Sequence, residues 1–116
     1  MCSEEKSIEE GGVKYHLKIS RLENATVAFF YEGVMRLGTL AFSLPKNKNS
    51  WPTTSSVLIG GKYMITSRFL AERLAGRTNK MSLVSVYTTL PEKNALRIFS
   101  KLLDESLGKY ALENKY

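Results

Sequence analysis

The stretch Ala25-Thr26-Val27-Ala28-Phe29-Phe30-Tyr31 decides the fold of this 116-residue chain. Successive side chains of a β-strand point to opposite faces of the sheet, so this stretch presents apolar groups on both faces. Strands of this composition lie inside a sheet, where neither face contacts water. The sequence therefore predicts a sheet that needs apolar cover on both of its sides.

Strand character continues on either side of this stretch. Residues 13–20 alternate apolar and polar side chains, which predicts a strand with one solvated face. Glu23-Asn24 is suited to a turn between these two strands. Further strands are predicted at Thr39–Leu44, before Pro45, and at Ser56–Ile59. Consecutive strands at hairpin spacing indicate antiparallel pairing.

Two helices and one more strand follow. The first helix has an apolar repeat that Gly76 is placed to end. Met81–Leu90 returns to strand character, and Pro91 is suited to the first position of the second helix, which Gly108 would end. The apolar residues of the first helix are Ile65, Phe69, Leu70 and Leu74. Those of the second helix are Leu96, Phe99, Leu102, Leu103 and Leu107.

The predicted fold class is therefore α+β, with an antiparallel sheet of five to six strands and element order ββββαβα. Two helices cover one face of such a sheet and leave the other bare. An uncovered apolar face is costly in water, at about 25 cal/mol per Å². We therefore expect the chain to dimerise through the bare face. The residues predicted to form this dimer contact are Ala28, Phe30, Ala41 and Leu58.

A single domain is expected over residues 13–108, because the chain is too short for two. Residues 1–12 are polar and end in Gly11-Gly12, which predicts a flexible acidic tail. Residues 109–116 are predicted to form a short C-terminal tail.

Composition indicates a globular protein of the cytoplasm. Hydrophobic residues make up 43% of the chain, and no apolar run approaches the length of a membrane span. The N-terminus lacks the basic and apolar segments of a secretory signal. Cys2 is the only cysteine, which excludes an internal disulfide and fits a reducing compartment.

Charge is distributed unevenly along the chain. The net charge is +6, yet residues 1–12 hold four glutamates and one lysine, which leaves +9 on the remainder. A basic body favours an acidic partner, either a protein surface or a nucleic acid. The alternative is that the surplus lysine only maintains solubility.

No constellation of catalytic residues is evident in the sequence. His16 is the only histidine and lies between two lysines, which disfavours both a metal site and a general base. Gly60-Gly61-Lys62 lacks the full phosphate-loop pattern, so a sharp turn is the better interpretation of its glycines. We expect a protein that is not an enzyme and that has no cofactor.

Basic residues are grouped in a polar loop and around the first helix. The residues predicted to bind a partner are Lys46, Lys48, Trp51, Arg73, Arg77 and Lys80. The same group allows an alternative function, a small basic dimeric nucleic-acid-binding protein. Few aromatic residues are interleaved with these cations, which counts against that alternative.

The segment Leu70-Ala71-Glu72-Arg73-Leu74-Ala75-Gly76-Arg77-Thr78-Asn79-Lys80 is the most distinctive part of the chain. It resembles the Leu-Ala-x-Arg-Leu-Ala-x-x-Thr-Asn-Lys run of the fourth proteasome-assembling chaperone. Val34-Met35-Arg36-Leu37 also resembles that family, whereas Gly38-Thr39-Leu40 and Ser43-Leu44 are closer to the third chaperone. The likeness covers most of residues 13–107 and is specific only around 70–80.

This resemblance implies a six-stranded antiparallel sheet with helices on one side, and a dimer formed sheet to sheet. It implies an ATP-independent, non-catalytic chaperone that binds proteasome α subunits. Whether the chain pairs with itself or with a paralogous chaperone stays open at this point. The chain ends Asn114-Lys115-Tyr116, which differs from the hydrophobic-Tyr-any motif of some proteasome-binding tails.

Overall fold

The computed structural model describes residues 2–45 and 54–113, and side chains over 3–45 and 55–108. It is an α+β fold with one six-stranded sheet and two helices. The elements in chain order are β1 (Cys2–Glu10), β2 (Val13–Arg21), β3 (Ala25–Glu32), β4 (Thr39–Leu44), β5 (Thr54–Ile59), α1 (Met64–Thr78), β6 (Met81–Tyr87) and α2 (Glu92–Glu113).

The sheet is mixed, which corrects the prediction of a purely antiparallel sheet. Its strand order is β1-β2-β3-β6-β4-β5. Strand β6 runs parallel to β3 and antiparallel to β4, and the other neighbours pair antiparallel. The chain crosses over through α1 and inserts β6 between two strands formed earlier in the sequence. Strands β3 and β6 therefore occupy the centre of the sheet, as expected of their apolar composition.

Residues 2–10 form the edge strand β1, so the prediction of a flexible tail is wrong. The strand pairs with β2 along its length through a turn at Gly11-Gly12. Both glycines have positive φ, 62° and 79°, which suits the two-residue hairpin turn. An ion pair joins Arg21 to Glu4 at 2.5 Å, and Arg97 of α2 pairs with Glu10 at 2.7 Å.

The core lies between the helices and one face of the sheet. Leu17 and Ile19 of β2, Phe30 of β3 and Val84 of β6 face it, and Phe99 of α2 packs against Phe30 with ring centroids 5.6 Å apart. Burying a side chain of this size contributes about 1.5–3 kcal/mol. The helices thus cover one face of the sheet, as predicted.

Helix boundaries differ from the predicted ones. Helix α1 continues past Gly76 to Thr78 and ends where Asn79 adopts a left-handed conformation with φ 57°. Helix α2 continues past Gly108 to Glu113. Neither helix has the length and apolar character needed to cross a membrane, over the residues that the structure describes.

The buried stripe of α1 is also different from the predicted one. Leu70 and Leu74 are buried as expected, together with Ala71 and Ala75. Ile65 and Phe69 are exposed instead, because the helix turns its small residues toward the sheet.

Candidate protein-binding surface

The sheet face opposite the helices carries apolar side chains across four strands. Pairing places Tyr31 beside Tyr87 and Phe42 beside Leu83. A bulge in β5 sets both Leu58 and Ile59 opposite Leu40, which turns both side chains to this face. We call this surface the open face. It comprises Val27, Phe29, Tyr31, Leu40, Phe42, Leu44, Leu58, Ile59, Leu83, Ser85 and Tyr87.

The described helices do not cover the open face, since both pack on the other side of the sheet. Side chains at its centre, such as Phe29 and Phe42, are half-buried by their neighbours within the sheet. Toward β5 the exposed fraction rises to 52% for Leu58. In the loop between β3 and β4, Val34 is 71% exposed. The open face is therefore a broad apolar surface.

A row of aromatic and cationic side chains crosses one end of the open face. The His16 ring stacks on Tyr31, with ring centroids 4.9 Å apart. Tyr31 lies beside Tyr87 in the sheet. The Arg36 guanidinium lies 5.5 Å from the centre of the Tyr87 ring and donates to its hydroxyl at 3.2 Å. Aromatic and arginine side chains are enriched at protein interfaces.

Polar residues border the open face on the β1–β2 side. Here Lys18 lies 3.9 Å from Glu5, and both side chains are well exposed. The neighbouring positions on this side are Ser3, Ser7, Lys14 and Ser20. An apolar patch with a polar rim is the arrangement found at protein–protein interfaces.

The structure corrects the residues predicted for the dimer contact. Ala28, Phe30 and Ala41 are all 0% exposed and face the helices, so they cannot contact a partner in the folded chain. Leu58 differs from these three residues, since it is 52% exposed and lies on the open face. The physical reason is strand alternation: the residues that face outward on β3 are Val27, Phe29 and Tyr31, one position away.

Three of the residues predicted to bind a partner, Arg73, Arg77 and Lys80, lie on or just after α1, apart from the open face. Arg73 pairs with Asp104 at 2.5 Å, and its guanidinium lies 5.8 Å from the centre of the Phe69 ring. Arg77 is exposed near the end of α1, and Lys80 donates to the Leu22 carbonyl at 3.1 Å. Lys46, Lys48 and Trp51 lie outside the described residues. The pairing of Arg73 with Asp104 lowers the free positive charge of this region.

Potential metal ligands are dispersed over the part of the chain that the structure describes. No cluster of three or more histidine, cysteine, aspartate or glutamate residues there could hold a metal ion. Gly60 has φ 113°, and a Cβ at this position would meet Thr39 at 2.7 Å. The glycine is therefore required for a tight turn against β4, as the sequence indicated.

No family model matches the chain, and no curated protein matches it.

Proposed function

We propose that this chain is a non-catalytic, ATP-independent chaperone that assists assembly of the 20S proteasome core. It would act as a dimer that binds α subunits or the α-ring intermediate, with a second copy or a paralogous chaperone as its dimer partner. The observation that carries the proposal is the open face. A broad apolar surface with a polar rim is stabilised by burial against another protein.

The proposal of a proteasome-assembly role, as distinct from protein binding in general, rests on the resemblance of residues 70–80 to the fourth proteasome-assembling chaperone. In this chain the segment closes α1 and starts β6. Leu74 is buried, and the Thr78 hydroxyl donates to its carbonyl at 2.7 Å. The Asn79 N–H donates to the Ala75 carbonyl at 2.8 Å. The resembling residues thus hold the turn between the helix and the central strand.

Affinity purification of the tagged chain from its native cells, followed by mass spectrometry, tests the proposal. We expect proteasome α subunits to be recovered with the wild-type protein. The double variant Phe29→Asp with Phe42→Asp should recover much less, since it places charge on the open face. Ser7→Asp, on the polar part of the same sheet face, is the matched control. Recovery of no proteasome component at modest salt would contradict the proposal.

A further inference from the structure

The two edges of the sheet differ in charge. Strand β1 carries five charged residues among its nine, which is a common protection of an edge against pairing with another chain. Strand β5, Thr54–Ile59, carries none. It pairs with β4 on one side, and no described strand pairs with its outer side. Its outer backbone groups are therefore available to an added strand.

A groove runs beside this edge, between β5 and α1. Met64, Arg68 and Glu72 are spaced four residues apart and line the α1 wall. Glu72 accepts a hydrogen bond from the Ser55 hydroxyl. The Arg68 Nε–H donates to the oxygen of that Ser55 hydroxyl at 3.1 Å. These bonds hold the helix at a fixed distance from the strand.

Two adjoining depressions make up the groove. One has a volume of about 310 Å³ and is lined by Ser55, Val57 and the two α1 residues Met64 and Arg68. The other has a volume of about 740 Å³ and shares Met64 and Arg68 with the first. It continues to the start of α2 along Lys62, Ile65, Leu90 and Pro91. The groove therefore extends from the free edge of β5 to the beginning of α2.

The far wall of the groove is fixed by hydrogen bonds. The Tyr63 hydroxyl lies 2.5 Å from the Leu90 carbonyl oxygen and can donate to it. The Glu92 carboxylate accepts from the Thr66 N–H at 2.8 Å. Glu72 and Glu92 are both occupied by these internal bonds, whereas the cations Lys62 and Arg68 are exposed.

The exposed side chains of the groove are mostly apolar or cationic, and the two carboxylates beside it, Glu72 and Glu92, are half-buried. Met64 is 48% exposed and Ile65 is 68% exposed, and both lie beside the two cations. An apolar side chain next to a carboxylate complements this lining. Peptides that add a strand to a sheet edge take affinity from main-chain hydrogen bonds and specificity from such side-chain sites.

We propose that the groove binds an extended acidic segment of a partner protein, which adds as a strand to the free edge of β5. An apolar side chain of the segment packs on Met64 and Ile65, and an aspartate or glutamate two residues away, on the same face of the added strand, pairs with Arg68 or Lys62. The site shares strand β5 with the open face but uses the outer edge and the helix side of that strand, and it does not depend on the function proposed above.

Fluorescence polarisation tests the proposal with a fluorescein-labelled, C-terminally amidated peptide of alternating Val and Thr. One central Val is replaced by Leu and the next Val, two residues later, by Glu, which places this Leu-Glu pair on one face of the strand. We expect the wild-type chain to bind this peptide and Arg68→Glu to bind at least about tenfold more weakly. Arg77→Glu makes the same charge change near the other end of α1 and should bind like the wild type. Circular dichroism establishes that both variants are folded.

Two further peptides examine the strand pairing and the charge. A peptide with alternate Thr replaced by Pro lacks the N–H groups of an added strand and should not bind. A peptide with Leu-Lys in place of Leu-Glu should bind weakly. Hydrogen exchange of the β5 amides should slow when the first peptide is bound.

Three results would overturn the proposal. One is equal binding by the Arg68→Glu and Arg77→Glu variants, and another is undiminished binding of the proline peptide. The third is a wild-type chain that binds none of the three peptides but self-associates, with the self-association abolished by Arg68→Glu. That result would show that a second copy of the chain occupies the groove.

Discussion

Gly38 occupies a position at the start of β4 that admits no side chain. A Cβ there would lie 2.0 Å from the Val86 carbonyl oxygen, a backbone atom that cannot move without shifting the sheet. The Gly38 N–H also donates to the Ser85 hydroxyl at 2.9 Å. We therefore expect Gly38→Ala to lower the free energy of unfolding by about 2–4 kcal/mol, measured by urea denaturation.

Gly76 is the matched control for this effect. It lies on the exposed side of α1, where an added Cβ meets nothing within 4 Å. Alanine favours a helix over glycine, so Gly76→Ala should raise the free energy of unfolding by about 0.5–1 kcal/mol. Equal effects of the two substitutions would show that the approach of Gly38 to β6 is not tight.

Glu32 predicts how stability depends on pH. Its carboxylate accepts from the Thr88 hydroxyl at 2.6 Å and from the Thr89 N–H at 3.0 Å. Burial opposes its ionisation, yet these hydrogen bonds outweigh burial, so the pKa of Glu32 lies below its usual value. The contribution of Glu32 is therefore complete above the unfolded pKa of about 4.5 and is lost as pH falls through the lower folded pKa.

The substitution Glu32→Gln should reduce the loss of stability that the wild type shows as pH falls. It should also lower the free energy of unfolding by about 1 kcal/mol at neutral pH, because an amide is a poorer acceptor than a carboxylate for the Thr88 hydroxyl and for the N–H and hydroxyl of Thr89. Urea midpoints at several pH values measure both effects. Glu105→Gln removes the same charge from an exposed position on α2 and should leave the wild-type profile unchanged. Parallel profiles for the wild type and Glu32→Gln would contradict the prediction.

At the scale of elements, β1 is part of the folded domain. Ile8 faces the helices and packs against the core, whereas Ser7 lies exposed on the other face of the same strand. We expect Ile8→Asp to lower the free energy of unfolding by about 2–3 kcal/mol, since it places a charge against apolar groups. Ser7→Asp should change it by less than about 0.5 kcal/mol. Thermal or urea denaturation of both variants would show little difference if residues 2–10 were a free tail.

The composition of β1 is that of a polar tail, although the segment forms a strand. Four glutamates and one lysine make up five of its nine residues, and Ile8 is its only large apolar residue facing the core. Composition therefore indicated a tail. Gly11-Gly12 was the overlooked signal, because two glycines before a clear strand favour a two-residue hairpin turn.

The faces of β3 were also predictable from its hairpin with β2. The Leu22 N–H donates to the Ala25 carbonyl at 2.8 Å, which closes a two-residue turn at Glu23-Asn24. Counting outward from this turn places Phe30 opposite Leu17, which alternation had already assigned to the apolar face of β2. Alternation within β3 alone does not identify its outward face, because both faces are apolar. The register set by the turn is needed to assign Phe30 to the core and Phe29 to the open face.

At the scale of the whole molecule, the position of β6 was beyond the reach of local patterns. The number and type of the later elements follow from hydrophobic periodicity, and so does the expectation that two helices cover only one face of the sheet. Inserting β6 between β3 and β4 depends on contacts between residues far apart in sequence. Periodicity within a single segment predicts whether that segment is a strand or a helix, but not which strands it pairs with in the sheet.

The open face predicts self-association or pairing with a paralogue. Phe29 and Phe42 lie on this face and Phe30 lies in the core, so aspartate at these positions should have different consequences. Sedimentation of the wild type is expected to give twice the monomer mass of 13.1 kDa. Phe29→Asp with Phe42→Asp should give a folded monomer, because charge opposes burial of the face against a partner.

Phe30→Asp should instead give unfolded or insoluble protein, since its carboxylate would be buried beneath α2 without a partner. A folded monomer from the double variant and an unfolded protein from Phe30→Asp would distinguish the open face of β3 from its core face. A wild-type chain that sediments as a monomer should still capture a paralogous chaperone from cells, and the double substitution should abolish that capture. If the wild type remains monomeric and soluble and captures no protein through Phe29 and Phe42, the open face is stable in water and the dimer is refuted.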